Sequence, residues 1–215
     1  MNRKIKFVLS VIALSFVFCA NSFAAGLTVQ DVCKQLAVNP VTKGDFTQIK
    51  AVNSAKGKRE LKSSGVYLFC VDGIVWETKK PFPSSMIVTP SVITQVGADG
   101  SKKEINAKDN QSFASIASTL VAIFSNDLSL LQKNFTVDFK AAADNSWEMN
   151  LLPKDSTISS VVGKIVLKGK SNGKSTSLDS IILTENGGNT VTYQFTNQTY
   201  SKELTSDEKA KLNLK

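Results

Sequence analysis

The sequence predicts a mainly β domain in which helices cover the concave side of one curved antiparallel sheet of about ten strands. Three observations predict it. Short segments rich in β-branched and aromatic residues recur along most of the chain, separated by turn residues. Segment 112–132 instead repeats its apolar residues every three or four positions, as an amphipathic helix does. The chain has no internal repeat and no linker, so we expect a single domain.

The first 24 residues have the features of a secretory signal peptide. Three basic residues lie among the first six, an apolar segment follows at 7–20, and small residues precede a cleavage predicted after Ala24 or Ala25. The apolar segment is too short to span a membrane comfortably. We therefore expect a soluble domain, residues 25–215, in the periplasm of a Gram-negative bacterium. A retained N-terminal anchor is the alternative.

The charge of the chain does not indicate a nucleic-acid partner. The formal net charge is +8, and loss of the three basic residues of the leader lowers it to +5. The remaining basic residues are scattered lysines with the single exception of Arg59, whereas nucleic-acid sites concentrate arginine beside aromatic residues. We expect a solvated basic surface on a monomer of about 190 residues, a length that suits one domain with a substantial core.

The residue types also argue against catalysis. The chain has no histidine, which excludes Ser-His-Asp and Cys-His nucleophiles and most zinc sites. The acidic residues lie mainly on turns, outside apolar segments that would raise their pKa. Glycine pairs such as Gly187-Gly188 follow a turn pattern and match no phosphate-binding loop. We expect no enzyme activity, no metal and no cofactor.

Two cysteines follow the leader, Cys33 and Cys70. In an oxidising compartment they could form one disulfide that joins the N-terminal helix to the hairpin described below. Two separate buried thiols are the alternative. Neither cysteine belongs to a CxxC motif, so redox catalysis is not expected.

The N-terminal part predicts one helix and one strand. Segment 27–38 has a single apolar stripe, with Thr28 as a plausible N-cap, and ends before Pro40. A strand begins at Gly44 with Phe46 directed inward, and a polar connection at 54–58 leads to the next strand.

The most apolar part of the chain, 65–90, predicts a β-hairpin followed by a third strand. Segments 66–71 and 74–78 flank Asp72-Gly73, a dipeptide suited to a two-residue turn. One face is then almost wholly large and apolar and the other is mixed, so the hairpin must be buried by its own core, a lid or a ligand. The cross-strand pairs that this turn predicts are Val71 with Ile74, Phe69 with Trp76, and Tyr67 with Thr78.

The rest of the chain continues this pattern around one helical insert. Segment 112–132 predicts a helix or helix pair with a break at 125–127. The further strands predicted on either side of it are 86–89, 91–96, 135–141, 146–152, 160–168, 177–183 and 190–197. Alternation in the last of them favours antiparallel strands with one wet face.

Several short motifs follow one another in this half of the chain: GDFTQ at 44–48, Gly65-x-Tyr67-x-Phe69, Ile74-x-Trp76, Pro81-Phe82-Pro83 and Ile87-Val88. Together they resemble the LolA family of periplasmic lipoprotein carriers. The order of predicted elements is similar over nearly the whole chain after the leader, from the N-terminal helix to a charged C-terminal tail.

The resemblance implies a half-open antiparallel β-barrel, similar to LolA and LolB, whose apolar concave face binds acyl chains under movable helices. The residues expected to line the acyl-chain cavity are Phe46, Tyr67, Phe69, Ile74, Trp76, Met86 and Val88. The residues expected on the lid helix are Phe113, Ile116, Leu120, Phe124 and Leu128. Aromatic residues on adjacent strands and an apolar helix stripe are also what a plain core would contain.

One departure from the family concerns the lid. In LolA an Arg-Pro pair precedes the turn, and the arginine holds the lid closed; here Cys70 and Val71 occupy the matching positions. The same matching groups Cys70 with Ile74 and Trp76 on one face, whereas the turn argument groups Phe69 with Trp76. Both arguments direct Ile74 and Trp76 inward.

Three functions remain open from the sequence. The first is a carrier that ferries lipidated proteins toward the outer membrane, with an inner-membrane donor complex and an outer-membrane acceptor. The second is a LolA-like carrier of a free lipid, glycolipid or other acyl product, which the missing arginine favours. The third is an envelope protein that binds lipid as a sensor or structural component without shuttling it.

Overall fold

Eleven antiparallel strands form one sheet in the computed structural model. The structure describes residues 26–54, 57–106, 109 and 111–214. It describes the side chains of all these residues except 54, 111–114, 116, 117 and 120. The predicted signal peptide lies outside these residues. The strands are β1 (Val41–Ser54), β2 (Gly57–Cys70), β3 (Gly73–Lys80), β4 (Ser84–Val88), β5 (Val92–Val96), β6 (Lys102–Asn106), β7 (Phe135–Ala141), β8 (Ser146–Pro153), β9 (Val162–Ser171), β10 (Thr176–Glu185) and β11 (Thr190–Ser201). The helices are α1 (Val29–Leu36), α2 (Gln111–Phe124), α3 (Leu128–Asn134), α4 (Ser156–Ser159) and α5 (Ser206–Lys211).

The strand order explains why the sheet stays open. It runs β6-β5-β4-β3-β2-β1-β11-β10-β9-β8-β7, so the strands are neighbours in chain order except where β1 pairs with β11. The two edges, β6 and β7, are consecutive strands of the chain, and α2 and α3 lie in the segment that connects them. The helices therefore join one edge of the curved sheet to the other. The predicted mainly β, half-open antiparallel barrel with a helical cover is confirmed.

The hairpin of β2 and β3 has the predicted faces but a different register. Phe69 pairs with Ile74 and Tyr67 with Trp76, so the turn lies at Val71-Asp72 and the predicted pairs were wrong by two residues. A shift of two residues keeps every side chain on its face. Gly73 belongs to β3, where an added Cβ would lie 2.3 Å from the carbonyl oxygen of Val88.

Both faces of this hairpin are buried, each by a different part of the chain. The concave face, with Phe69 and Trp76, belongs to the main core under the helices. On the convex face a smaller core holds Leu68, Cys70 and Val75 against Leu212, which follows α5. Sequence reasoning described this C-terminal segment only as a charged tail, and it missed α5 because the helix has only six residues, none of them buried.

Two ion pairs fasten α5 to the sheet. Lys43 Nζ lies 2.6 Å from the Glu208 carboxylate, and Lys211 pairs with Glu77. Desolvation opposes ionisation of Glu208, but hydrogen bonds from Lys43 and Thr205 outweigh it and lower the pKa of that carboxyl group. The C-terminal segment is thus held by Leu212 and by charge-assisted hydrogen bonds at its edges.

The predicted disulfide between Cys33 and Cys70 is wrong in this structure. Both cysteines are free and buried, Cys33 in the main core and Cys70 in the convex core, so the sheet lies between them. Burial raises the pKa of the Cys33 thiol to about 12 and raises that of Cys70 as well. The alternative of two separate buried thiols is the one found.

Local helix signals were predicted well. Thr28 caps α1 in a reciprocal capping box with Asp31, and Asp127 caps α3 after the predicted break. Besides α5, the sequence reasoning missed β6 and α4, which are both short.

No helix in the described part of the chain has the length and apolar character needed to cross a bilayer.

We predict that Gly65→Ala destabilises the sheet strongly. A Cβ at Gly65 would lie 1.8 Å from the backbone oxygen of Glu77, which cannot move without disturbing β3. We expect a loss of about 2–3 kcal/mol in the free energy of unfolding, measured by urea denaturation. Gly163→Ala is the control, because its nearest contact is 3.6 Å and an effect below about 0.5 kcal/mol is expected. Equal midpoints for the two variants would contradict the packing of β2 on β3.

We also predict that the two thiols report on the two cores separately. Denatured, unreduced protein without residues 1–24 should titrate two thiols. In the native Cys33→Ala variant, deletion of residues 202–215 should speed modification of Cys70 by tenfold or more, on the order expected when a buried thiol becomes accessible. The same deletion in Cys70→Ala should leave Cys33 slow. A parallel increase at both thiols would mean that the deletion unfolds the domain, and no increase at Cys70 would mean that the segment does not cover it.

Candidate functional site

An aromatic cluster lines the concave face of the sheet. β1 contributes Phe46, β2 contributes Tyr67 and Phe69, and β3 contributes Trp76. The rings lie close together, with centroid distances of 5.3 Å for Phe69–Trp76 and 5.6 Å for Phe46–Trp76. The structure therefore brings together the four aromatic residues that were predicted for the cavity.

Sequence reasoning missed two members of this cluster, Tyr193 and Phe195 of β11. The Trp76 and Tyr193 centroids are 4.8 Å apart, and those of Tyr67 and Phe195 are 4.7 Å apart. The alternation of Val191, Tyr193 and Phe195 was visible in the sequence. What the sequence did not reveal is that β11 pairs with β1, so that Phe195 lies directly opposite Phe46.

The aromatic cluster itself carries no charged group. Burial raises the pKa of Tyr193 to about 12 and also raises that of Tyr67, so both phenols stay neutral at physiological pH. The indole Nε1 of Trp76 is buried and has no acceptor among the described residues. A buried donor without an acceptor costs about 1–3 kcal/mol, and an acyl carbonyl is the kind of group that could satisfy it.

The helical cover has two parts that are attached differently. α1 buries Val32, Cys33 and Leu36 in the core and also makes polar contacts with the sheet. The Gln35 side-chain oxygen accepts hydrogen bonds from the hydroxyls of Ser171 and Thr176 at the β9–β10 end of the sheet. Between α1 and the loop after α2, Gln30 Nε2 donates to Asn126 Oδ1 at 3.1 Å.

α2 instead rests on the sheet through apolar contacts. Phe124 is buried and its ring centroid lies 5.1 Å from that of Phe69. The side-chain hydrogen bonds of α2, as far as its side chains are described, all return to its own backbone, as those of Ser118 and Thr119 do. No described side chain of α2 makes an ion pair. No described side chain of α2 therefore makes a polar contact with the sheet.

A cavity of about 650 Å³ lies beside this cluster, between the helices and the β3–β5 part of the sheet. Its apolar wall consists of Val88, Pro90, Ile93, Val121, Leu130 and Ile158. Its polar wall consists of Ser115, Ser118, Thr89, Lys133, Asn134, Asp155 and Thr157. The cavity is therefore amphipathic, with Lys133 and Asp155 as its charged side chains. Hydrogen bonds from Thr157 lower the pKa of Asp155.

The predicted cavity residues divide into two groups. Of the seven, only Val88 lines this cavity, while the aromatic residues and Ile74 are packed in the core and Met86 lies partly buried against it. In the structure the helices close the concave face over them. Contact of these residues with an acyl chain stays a prediction.

The predicted lid residues are only partly described. Phe124 is buried against the sheet and Leu128 packs partly buried against the same core. The side chains of Phe113, Ile116 and Leu120 lie outside the described residues. In the described part of the chain no three His, Cys, Asp or Glu side chains gather as metal ligands would.

The sequence of this chain matches one protein family over most of its length. A model of the family described as outer membrane lipoprotein carrier protein LolA-like matches residues 21–181. No curated protein is significantly similar to the chain.

Three solved structures resemble the chain at low sequence identity. A LolA superfamily protein from Nitrosomonas europaea is 9% identical, with a TM-score of 0.46, 84% of this chain covered and 96% of that one. A putative outer membrane lipoprotein-sorting protein domain from Vibrio parahaemolyticus is 11% identical, with a TM-score of 0.44 and coverages of 83% and 94%. A DUF1329 family protein from Desulfovibrio piger is 7% identical, with a TM-score of 0.48 and coverages of 82% and 92%. On the family match, the chain belongs to the outer membrane lipoprotein carrier protein LolA-like family.

Proposed function

We propose that this protein is a non-enzymatic periplasmic carrier that binds the acyl chains of lipidated proteins between its concave sheet and its helical cover. The observation that carries the proposal is the apolar contact between α2 and the aromatic face, with a cavity of about 650 Å³ beside it. Apolar contacts are not directional, so an acyl chain can replace Phe124 on the sheet at little cost. A cover fixed by buried hydrogen bonds would lose them on opening.

The physical chemistry of acyl chains supports a carrier that exchanges its cargo with partners. Each buried methylene contributes about 0.8 kcal/mol, so a chain of some sixteen carbons binds tightly without polar recognition. Such a cargo leaves slowly unless an acceptor takes it over. The proposal therefore includes an inner-membrane donor and an outer-membrane acceptor, and export through the predicted signal peptide.

A free acyl lipid is the second candidate cargo. Two observations favour it: Lys133 at the cavity could pair with an anionic head group, and the arginine of the family is absent. Native mass spectrometry of protein purified from the periplasm of its own host separates the candidates. A bound lipoprotein supports the first and a bound small lipid the second. Protein that is empty and binds neither cargo when it is added contradicts the carrier proposal and favours a sensor or structural role.

We predict that Trp76 reports on cargo entry. Its ring touches Phe69, which touches Phe124 of the cover, so an acyl chain that displaces the cover changes the surroundings of the indole. In the Trp147→Phe variant, titration with a palmitoylated peptide should shift the emission of Trp76. In Trp76→Phe the emission of Trp147 should change little, because that ring is buried outside the aromatic cluster. A flat Trp76 signal, with binding confirmed by calorimetry, would mean that the cargo lies elsewhere.

We further predict that filling the cavity blocks uptake. Ser118 lines the cavity on α2, so Ser118→Phe should occupy the space of the acyl chain and lower affinity for a palmitoylated peptide about tenfold or more. Ser129→Phe, the same change at an exposed position of α3, is the control and should bind normally. Thermal unfolding of both variants checks that the fold is intact. Equal affinities for folded Ser118→Phe and wild type would exclude this cavity as the cargo site.

A further inference from the structure

One end of the sheet extends beyond its neighbours as a two-stranded hairpin. β1 and β2 pair along their whole length, to Ser54 opposite Gly57. On the far side of β2, however, β3 pairs only with residues from Ser64 onward. Between Gly57 and Ser63, β2 therefore has a strand neighbour on one side only within the described sheet. Residues 57–62 are all exposed.

Positive charge is concentrated on this extension. Lys58, Arg59 and Lys62 lie on the extended part of β2, and Lys79 and Lys80 end β3 beside it, since Lys80 pairs with Ser64. All five cations are exposed, and none has an ion-pair partner among the described residues.

Carboxylates do little to neutralise these cations. Glu60 is the one carboxylate within the same two segments, while Glu77 of β3 is already paired with Lys211. Nearby Lys50 of β1 is also engaged, by Glu185 at 2.7 Å. The five unpaired cations are therefore exposed to solvent, and the two segments that carry them contain one carboxylate.

Two large apolar side chains are exposed among these charges. Leu61 has 62% of its surface exposed, and Phe82, in the loop two residues after Lys80, has 74% exposed. Leu61 lies three residues from Ser64, a distance of about 10 Å along the strand. We call this combination, residues 58–62 and 79–82, the basic hairpin surface. The surface combines cations that have no ion-pair partner with two exposed apolar side chains. No other described part of the protein buries these two side chains.

We propose that the basic hairpin surface docks the protein on an anionic lipid bilayer. Lysines are attracted to an anionic membrane surface without any specific geometry, and an exposed phenylalanine enters the interface between head groups and acyl chains. An acidic protein would also complement the charges, but lysine is depleted in protein–protein interfaces, and four of the five cations here are lysines. Docking needs no cargo, so it is independent of the carrier function.

The register of the sheet gives this docking a direction. Leu61 and Gly65 lie on the same face of β2, and Gly65 is opposite Phe46 of the aromatic cluster. A bilayer bound at the basic hairpin surface would therefore meet the end of the concave face. This is the end away from the cavity, because Gly73 at the start of β3 lines the cavity and Lys80 ends the strand beside the basic hairpin surface.

Vesicle co-sedimentation tests the proposal. We expect the cargo-free protein to bind vesicles of phosphatidylcholine with 30% phosphatidylglycerol, as a chosen probe composition, and to bind pure phosphatidylcholine far more weakly. Replacing Lys58, Arg59 and Lys62 by glutamine should lower the partition coefficient about fivefold per charge, or about 100-fold together. Phe82→Ser should lower it severalfold at high salt, where the electrostatic contribution is screened.

Matched controls separate this surface from net charge and general hydrophobicity. Replacing Lys103, Lys170 and Lys174 by glutamine removes the same charge from exposed positions on other strands and turns. Leu152→Ser removes an apolar side chain that is 46% exposed on β8. Both controls should bind like wild type. Equal losses in the two triple variants, or no binding of wild type to anionic vesicles, overturn the proposal. Binding to immobilised polyglutamate without vesicle binding would likewise overturn it and would assign the surface to an acidic protein.

Discussion

The apolar contact of α2 with the aromatic face of the sheet is the interaction on which the rest of the structure depends. The sheet ends at β6 and β7, and because these edges do not pair, the concave face would lie open to water without the helices between them. Phe69, Trp76 and Phe195 would then expose large apolar surfaces. Burial of each such side chain contributes about 1.5–3 kcal/mol, so the cover is required for stability as well as for any function.

α1 and the C-terminal segment make polar contacts with the sheet, so α2 is the element that we propose an acyl chain displaces. α1 is bound through Gln35 to both strands of the β9–β10 hairpin. On the convex face, the hairpin of β2 and β3 is covered by Leu212, and the Lys43–Glu208 ion pair holds α5 beside it. Among its described side chains, α2 makes no hydrogen bond and no ion pair with the sheet and is held by the burial of Ile123 and Phe124. Under the proposed function an acyl chain takes the place of α2 on the concave face, because apolar burial does not depend on direction.

Much of the fold followed from local sequence, and what did not follow depends on distant contacts. Thr28 and Asp127 cap helices through bonds made within three residues, so their positions could be predicted. The hairpin turn was misplaced because Gly73 is needed for its close contact with the carbonyl oxygen of Val88 on β4, which the sequence of the hairpin does not show. Tyr193 and Phe195 were missed because only the pairing of β1 with β11 brings them to the site. The cysteine pairing failed for the same kind of reason, since the sequence does not show that α1 packs Cys33 on the face of the sheet opposite to Cys70.

Hydrogen exchange with and without cargo tests the central claim most directly, because it measures opening of the cover itself. The account predicts that loading with a palmitoylated peptide changes deuterium uptake in α2 and α3, while β8, β9 and β10 exchange as before. It also predicts that α1 changes less than α2, because Gln35 stays bonded to the sheet. Unchanged exchange in α2 on saturation with cargo, or a change spread evenly over the sheet, would contradict a cover that an acyl chain displaces.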